Sequence, residues 1–432
     1  MPKEKYCLVL SGGGAKGVYH IGVWRALQEL GVEVDAFIGN SIGAVIAGYL
    51  ANKKIHRMEE IGSNIGIDFI LNIPNEFIVN GEVKLTTPKL SSFKVFYQNI
   101  ISKKGLDTSP LQKLLNDDLD EMEIRKIGND LGIVTYRTSD MKAREVFIED
   151  MEKGELINYL LASSAFPGFE QPEISGKKYI DGGVWDNIPY KMARQRGYRK
   201  IIVSDISGMG VRRKMDISGS QTVYIKNSIN MGGVLDFDRK FLDEYTMLGY
   251  LDTLRTYEAL SGYQYFITPD EKLVEDFNEM IFLKKQMIID YEKSISGKEK
   301  SSFTLALKSI FPKYSQFESN WLSVFTDCAA SILSIQRIRR WTYMELLDEI
   351  HKQIKSIHVM VEKVKKGKLI NIDAFLKNLR EEKELVESPY YYYLLIDNYL
   401  KGNARKLALR PLFRLYPELS AGLFYIDMLT KK

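Results

Sequence analysis

Val34-Asp35-Ala36-Phe37-Ile38-Gly39-Asn40-Ser41-Ile42-Gly43-Ala44-Val45-Ile46-Ala47 reads as an apolar strand, a glycine-flanked turn and an apolar helix in immediate succession. The stretch before it repeats the pattern. Tyr6 to Leu10 is a short apolar strand, and Gly12 to Gly17 is a glycine-rich turn. Val18, Ile21, Gly22, Val23, Ala26, Leu27 and Leu30 then recur at helical spacing until Gly31 stops them. Two consecutive strand-turn-helix units predict an α/β fold built on a mostly parallel sheet, with both turns at the carboxyl ends of their strands, where such sheets bind ligands.

Farther along, residues 132–138 and 144–149 read as a strand pair joined by the polar loop 139–143, and Ile201 to Asp205 as another inner strand. Residues 52–108 are irregular, with Phe69, Phe77, Phe93, Phe96 and Tyr97 scattered among Lys and Asn. They read either as a lid or acyl-chain cleft, or as an insertion that packs its aromatics on the main core. Beyond about residue 270 glycine thins out, and segments 274–297, 342–366 and 373–386 are patterned as helices. The expected division is an α/β unit followed by a helical region over 270–432.

At 432 residues, 45% hydrophobic and 27% charged, the chain has ample material for a buried core and is neither fibrous nor disordered in composition. A net charge of +4 is too balanced for a nucleic-acid-binding surface. Residues 301–432 hold 21 Lys and Arg against 14 Asp and Glu, while residues 1–300 hold 39 against 42, so the cationic excess is in the tail. Arg337 to Trp341 and Lys401 to Arg414 mix cations with Trp, Leu and Phe. Such a mixture suits an anionic membrane surface or, more simply, solvated helix faces. Cys7 and Cys328 are the only cysteines, which rules out a disulfide framework and fits a reducing compartment. The apolar run at Tyr6–Leu10 is short of a signal-peptide core, and no apolar stretch is long enough to span a bilayer. The expectation is a cytoplasmic protein whose membrane contact is peripheral.

Gly39-Asn40-Ser41-Ile42-Gly43 is a G-x-S-x-G between strand and helix, the context in which a serine is thrust above the sheet edge with its hydroxyl open to a substrate carbonyl. Its rival reading is a glycine-flanked N-cap serine. A nucleophilic serine needs a base. The four histidines, His20, His56, His351 and His358, lie in segments that do not converge on that edge, so a Ser-His-Asp triad is poorly supported. Asp181, in Tyr179-Ile180-Asp181-Gly182-Gly183, is the more economical base, although taken alone Asp-Gly reads as a turn. Donors for an oxyanion would come from Gly12, Gly13 and Gly14, with Lys16 adding positive charge. The same run satisfies G-x-G-x-x-G, which makes dinucleotide binding a competitor. Against it, Glu33 and Asp35 flank the start of the second strand, whereas that reading wants an acid at its end. A phosphate-binding P-loop fails because Lys16 precedes Gly17 with no Ser or Thr after it.

Together, Gly12-Gly-Gly-Ala-Lys-Gly17, Gly39-Asn-Ser-Ile-Gly43 and Asp181-Gly-Gly183 resemble, in order and spacing, the patatin-like phospholipases. Supporting stretches are Ala162 to Pro167, Asn187-Ile-Pro189 and Leu235 to Tyr250, so the resemblance covers residues 5–268. It implies a three-layer α/β/α sheet and a lipid acyl hydrolase with Ser41 as nucleophile, Asp181 as proton acceptor and the Gly12 to Gly14 amides as oxyanion hole. Gly17, Gly39, Gly43, Gly182 and Gly183 complete the motifs. It further implies a lipid or phospholipid substrate and no metal or organic cofactor. Ser11 and Lys16 depart from the residues common at those positions, Asp or Gly and Arg, without touching the dyad. A third possibility left open is a catalytically silent, membrane-binding relative built on the same sheet.

Overall fold

The computed structural model describes residues 5–62, 66–73, 78–79, 82–83, 105–283, 289, 320–365, 422 and 425–426, and the chain divides into two compact units, Met1–Tyr257 and Glu258–Lys432. The first is built on an eight-stranded mixed sheet. Its strands are β1 (Tyr6–Leu10), β2 (Val34–Asn40), β3 (Asp130–Arg137), β4 (Lys142–Phe147), β5 (Glu173–Ile174), β6 (Lys177–Asp181), β7 (Lys200–Asp205) and β8 (Gln221–Lys226). They run in the order β8-β7-β1-β2-β3-β6-β5, with β4 paired to β3. From β8 through β3 every pairing is parallel. Past β3 the sheet turns antiparallel, so the parallel expectation holds for one half only.

That switch positions the chemistry. β3 pairs with β2 through Asp130 to Val134, and with β6 through Thr135 to Arg137. The two stretches of β3 do not overlap, and β4 occupies residues 132–137 on the other edge. Hence β2 and β6 share one edge of β3 end to end. Asn40 stands opposite Val134 and Asp181 opposite Thr135, which brings two strand ends 141 residues apart in sequence onto neighbouring positions.

Alternation along the inner strands gives each sheet face its own core. Cys7, Val9, Ala36, Ile38, Ile201 and Val203 pack against Tyr190, Met192 and Ala193 of the short helix Tyr190–Gln195. On the other face Phe37 meets Trp24 edge-on, their rings 5.8 Å apart, which places the helix Val18–Glu29 there. Helices therefore cover both faces, as in an α/β/α sandwich. Helix Arg239–Thr256 packs on Val18–Glu29 at backbone distance, because a Cβ on Gly22 would overlap the Thr246 carbonyl and one on Gly249 the Tyr19 carbonyl. Tyr19 Oη donates to Asp252 Oδ2 across that seam at 3.0 Å.

The β3–β4 hairpin is tighter than the sequence suggests. Arg137 pairs with Asp140 inside the turn, so β4 starts at Lys142. Ile148–Asp150 leaves the sheet as a 3-10 turn, with Phe147 N–H donating to Asp150 Oδ2 at 3.1 Å. In the irregular stretch, Ile67, Leu71 and Ile73 are buried, while Phe77, Phe93, Phe96 and Tyr97 lie outside the described residues.

The second unit contains the helices Glu271–Leu283, Trp321–Ile332 and Tyr343–Lys365, with Phe266–Ile267 and Arg340–Trp341 paired as a short parallel ladder. The Arg337 to Trp341 cluster is a correction to the helix-face reading. Trp341 is buried in a strand, Arg339 stacks on its ring at 4.0 Å, and Arg337 Nε donates to the Gln264 carbonyl. Segment 373–386 and the Lys401 to Arg414 cluster lie outside the described residues. Among the described residues no helix is long and apolar enough to cross a membrane.

Candidate active site

Ser41 stands between β2 and the helix Ile42–Ala51 with φ 55 and ψ −129. A non-glycine residue holds such a conformation only when its surroundings force it, at a cost on the order of 1–3 kcal/mol. The forcing contacts are local. A Cβ on Gly39 would overlap the carbonyl of Gly43, and one on Gly43 would press on the Leu10 and Ser11 carbonyls, so only glycines let strand, helix and first turn close this tightly. Ser41 N–H donates to Ser163 Oγ at 2.9 Å, and Ser163 Oγ donates to the Val134 carbonyl at 2.6 Å. The elbow is thereby tied to β3.

Asp181 ends β6 and is buried. Its Oδ1 accepts from Gly183 N–H at 2.7 Å and from Asn40 Nδ2 at 3.3 Å, and the Ser41 side chain is a further hydrogen-bonding neighbour. Burial pushes the Asp181 pKa above the ordinary carboxylate value, and the bonds from Ser41, Gly183 and Asn40 pull against that rise. A carboxylate made more basic by burial, next to a serine hydroxyl, is suited to accept its proton.

Ser41 and Asp181 open onto one cavity of about 370 Å³ whose walls are overwhelmingly apolar, with Ile42, Val45, Leu111, Phe166, Phe169 and Phe237 among them. Ile70, from the irregular stretch, also contributes. At its rim Val184, Met209 and Val211 are exposed.

The glycine turn approaches this cavity from β1. Gly13 and Gly14 line it. Ala15 N–H is taken by the Val234 carbonyl at 2.8 Å; Gly14, at φ +60, lies so close to that same carbonyl that a Cβ would overlap it. Among the described residues neither the Gly13 nor the Gly14 N–H has an acceptor. The Gly12 N–H instead points to the Asn187 carbonyl at 3.3 Å, and Gly12 is absent from the cavity wall. Its place is steric, since a Cβ there would press on Asn187, Asn40 and Ser41. Lys16 sits behind the turn, reaching the Ser207 carbonyl at 3.4 Å; burial, and secondarily Arg212, lowers its pKa.

Three residues that sequence reasoning did not single out hold this arrangement. Asn40 Nδ2 bridges Asp181 and Asn187 Oδ1 (3.1 Å), and Asn187 Nδ2 returns to the Gly12 carbonyl at 3.2 Å. A buried amide pair thus links all three motifs. Asn187 was visible only inside Asn187-Ile-Pro189, and Ser163 only inside Ala162 to Pro167. His20, one of the histidines set aside as a catalytic base, is fully buried. Its Nε2 meets the Ser11 carbonyl at 3.0 Å and its Nδ1 the Ser204 hydroxyl at 2.7 Å. Those partners require Nε2 to carry the proton and Ser204 to donate. Burial lowers the His20 pKa to about 4, so it serves as a neutral brace under the glycine turn, away from the cavity.

The family model described as patatin-like phospholipase matches residues 8–194. Similar curated proteins include a lysophospholipase NTE1 of Cryptococcus neoformans, 27% identical over 203 residues, which are 47% of this chain and 11% of that one. Another is the mouse patatin-like phospholipase domain-containing protein 7, 28% identical over 215 residues, or 49% and 14% of the two chains. The chain therefore spans only a small part of the length of these relatives. VipD from Legionella pneumophila, a solved structure, aligns over 99% of this chain and 92% of its own with a TM-score of 0.40 and 14% identity. Ser41 and Asp181 both lie inside residues 8–194, the stretch similar to the patatin-like phospholipase family.

Proposed function

We propose that the chain is a serine lipid acyl hydrolase of the phospholipase A or lysophospholipase type, acting through Ser41 and Asp181. The observation that carries this reading is the strained Ser41 beside a buried, pKa-raised Asp181 on the wall of an apolar cavity. Ser41 Oγ attacks the ester carbonyl while Asp181 takes the hydroxyl proton. The Gly13 and Gly14 N–H groups receive the charge that develops on the carbonyl oxygen, and the fatty acyl chain lies along Phe166, Phe169 and Phe237. The proton on Asp181 passes to the departing alcohol. Asp181 then draws a proton from a water that attacks the acyl-enzyme, releasing a fatty acid and restoring Ser41. No metal or organic cofactor enters this sequence.

The exposed apolar rim at Val184, Met209 and Val211 supports peripheral contact with the membrane that supplies the lipid. The dinucleotide reading is disfavoured by Asn40, which ends β2 where that chemistry wants an acid and is already engaged by Asp181 and Asn187. Mass-spectrometric product analysis on a mixed lipid extract tests the proposal. Wild type should release free fatty acid, and Ser41→Ala should lower the rate by about 10³-fold or more. Equal release by the variant would overturn it.

A further inference from the structure

The catalytic cavity has a shallow end and a deep one. Val184, Met209 and Val211 at its rim are 40%, 61% and 47% exposed, whereas Val45, Leu111 and Phe169 on its wall are 3%, 8% and 8% exposed. Helix Ile42–Ala51 gives the direction. Ile42 and Val45 stand on one face of it, so the wall runs from Ser41 most of one turn, ~4.5 Å, into the helix, from half-buried residues to a buried one. Segments from separate parts of the chain close around that end. Leu111 lies in the first turn of the helix Ser109–Asp118. Leu106, just before that helix, is bridged to Phe169. Its N–H donates to the Gly168 carbonyl and its carbonyl accepts from Glu170 N–H, each at 2.9 Å. Asn72 N–H donates to the Asp107 carbonyl at 2.9 Å, which ties the segment carrying Ile70 to the same stretch. The Phe166 and Phe169 rings meet edge-on, 5.9 Å apart. Backbone bonds therefore hold this wall together, and its side chains point where an acyl chain leaving Ser41 would travel.

We propose that Leu111, backed by Val45 and Phe169, is the stop that sets how long an acyl chain this site accepts. The inference rests on the hydrolase reading and adds a specificity-determining residue to it. With its carbonyl carbon held at Ser41 Oγ, an acyl group extends toward the deep end, where burial is greatest, and leaves the alcohol portion of the ester at the rim. Each methylene that enters trades water for an apolar wall and should raise kcat/KM about fourfold. Once the chain meets Leu111, a further methylene has to stay in water or push the wall apart, and the gain ends. The cavity volume of about 370 Å³ is at the low end of small-ligand pockets, ~300–1,000 Å³, and suits one acyl chain rather than a pair. Leu111 is the helix position that matters, because Leu115, one turn farther along, is fully buried and takes no part in the wall.

The test compares the full chain as wild type, Leu111→Ala, Leu111→Trp and Ile70→Trp on p-nitrophenyl esters of straight-chain acids from butyrate to palmitate, in mixed micelles of fixed composition. The readout is kcat/KM for each ester relative to butyrate within one protein, a ratio that a reduced folded fraction does not move. In wild type it should climb with chain length and then level off. Leu111→Ala should carry the climb to longer chains, and Leu111→Trp should end it earlier, with a loss of about tenfold or more on the longest esters. Ile70→Trp, at a half-buried position where added bulk is better tolerated, should act in the same direction as Leu111→Trp. Thermal stabilisation of each protein by the free fatty acids of the same series reads the stop without catalysis. Stabilisation whose length dependence moves with the variants, without ester hydrolysis by wild type, would overturn the hydrolase reading and keep the stop. Hydrolysis with the same length profile in wild type and every variant would overturn the stop and keep the hydrolase reading. Neither hydrolysis nor length-dependent stabilisation would overturn both.

Discussion

Asp181 in the first unit and Asp327 in the second are both buried carboxylates, and their surroundings differ. Asp327 lies on the helix Trp321–Ile332 and accepts the backbone N–H groups of Tyr263, Gln264 and Tyr265. Its charge is spent on holding a loop, as a carboxylate accepting several N–H bonds does in a purely structural site. Asp181 accepts one backbone N–H and one amide, opens on a cavity and has its pKa raised by burial. Burial alone does not mark a functional acid. What separates the two is whether backbone donors satisfy the carboxylate or leave it facing a serine hydroxyl.

The sharpest break of this comparison is Asp181→Asn. Ester hydrolysis should fall by about 10³-fold or more with no loss of melting temperature. Because the folded pKa of Asp181 lies above its unfolded value, the ionised form costs stability at neutral pH, and the neutral isostere relieves that cost. A melting temperature that dropped with activity would put Asp181 in the same class as Asp327. Asp327→Ala is the converse. It strands buried N–H donors and should cost roughly 3–5 kcal/mol, read by chemical denaturation.

Two smaller effects sharpen the picture on the catalytic side. Asn187→Ala removes the amide that joins the Gly12 carbonyl to Asn40. It should lower kcat by about 10- to 100-fold and leave KM for a soluble ester little changed. A loss of melting temperature accompanying the fall in kcat would argue for simple misfolding rather than positioning. The pH profile separates Asp181 from His20. Activity needs ionised Asp181, so its acid limb should fall at a pH above the ordinary carboxylate value. His20 is depressed from 6.5 to about 4. The folded state then binds fewer protons than the unfolded state, and stability should decline as pH drops from about 6.5 toward about 4. His20→Gln should remove that slope while leaving the acid limb of activity in place.

Much of the candidate site's backbone geometry was legible because close backbone approach selects glycine. Gly39, Gly43 and Gly14 announce an elbow and a donor turn from their spacing, and Asp181 follows from what a serine lacking a nearby histidine requires. The end-to-end meeting of β2 and β6 on β3 was not legible, since it depends on an antiparallel register that periodicity does not encode. Asn40, Asn187, Ser163 and His20 act through partners up to 184 residues away; the first three stand inside motif stretches, but nothing local announces the hydrogen bonds they make. In the second unit the Arg337 to Trp341 cluster misled for the same reason. Cations beside a tryptophan look like a membrane face until the ring is seen to be buried.

The most direct measurement of the dyad is site-mapped mass spectrometry after reaction with a fluorophosphonate, which modifies a serine only when a base activates it and donors hold its oxyanion. The account predicts a single adduct on Ser41 in wild type, none in Ser41→Ala and strongly slowed labelling in Asp181→Asn. An adduct on another serine accompanying full activity, or undiminished labelling of Ser41 in Asp181→Asn, would contradict it.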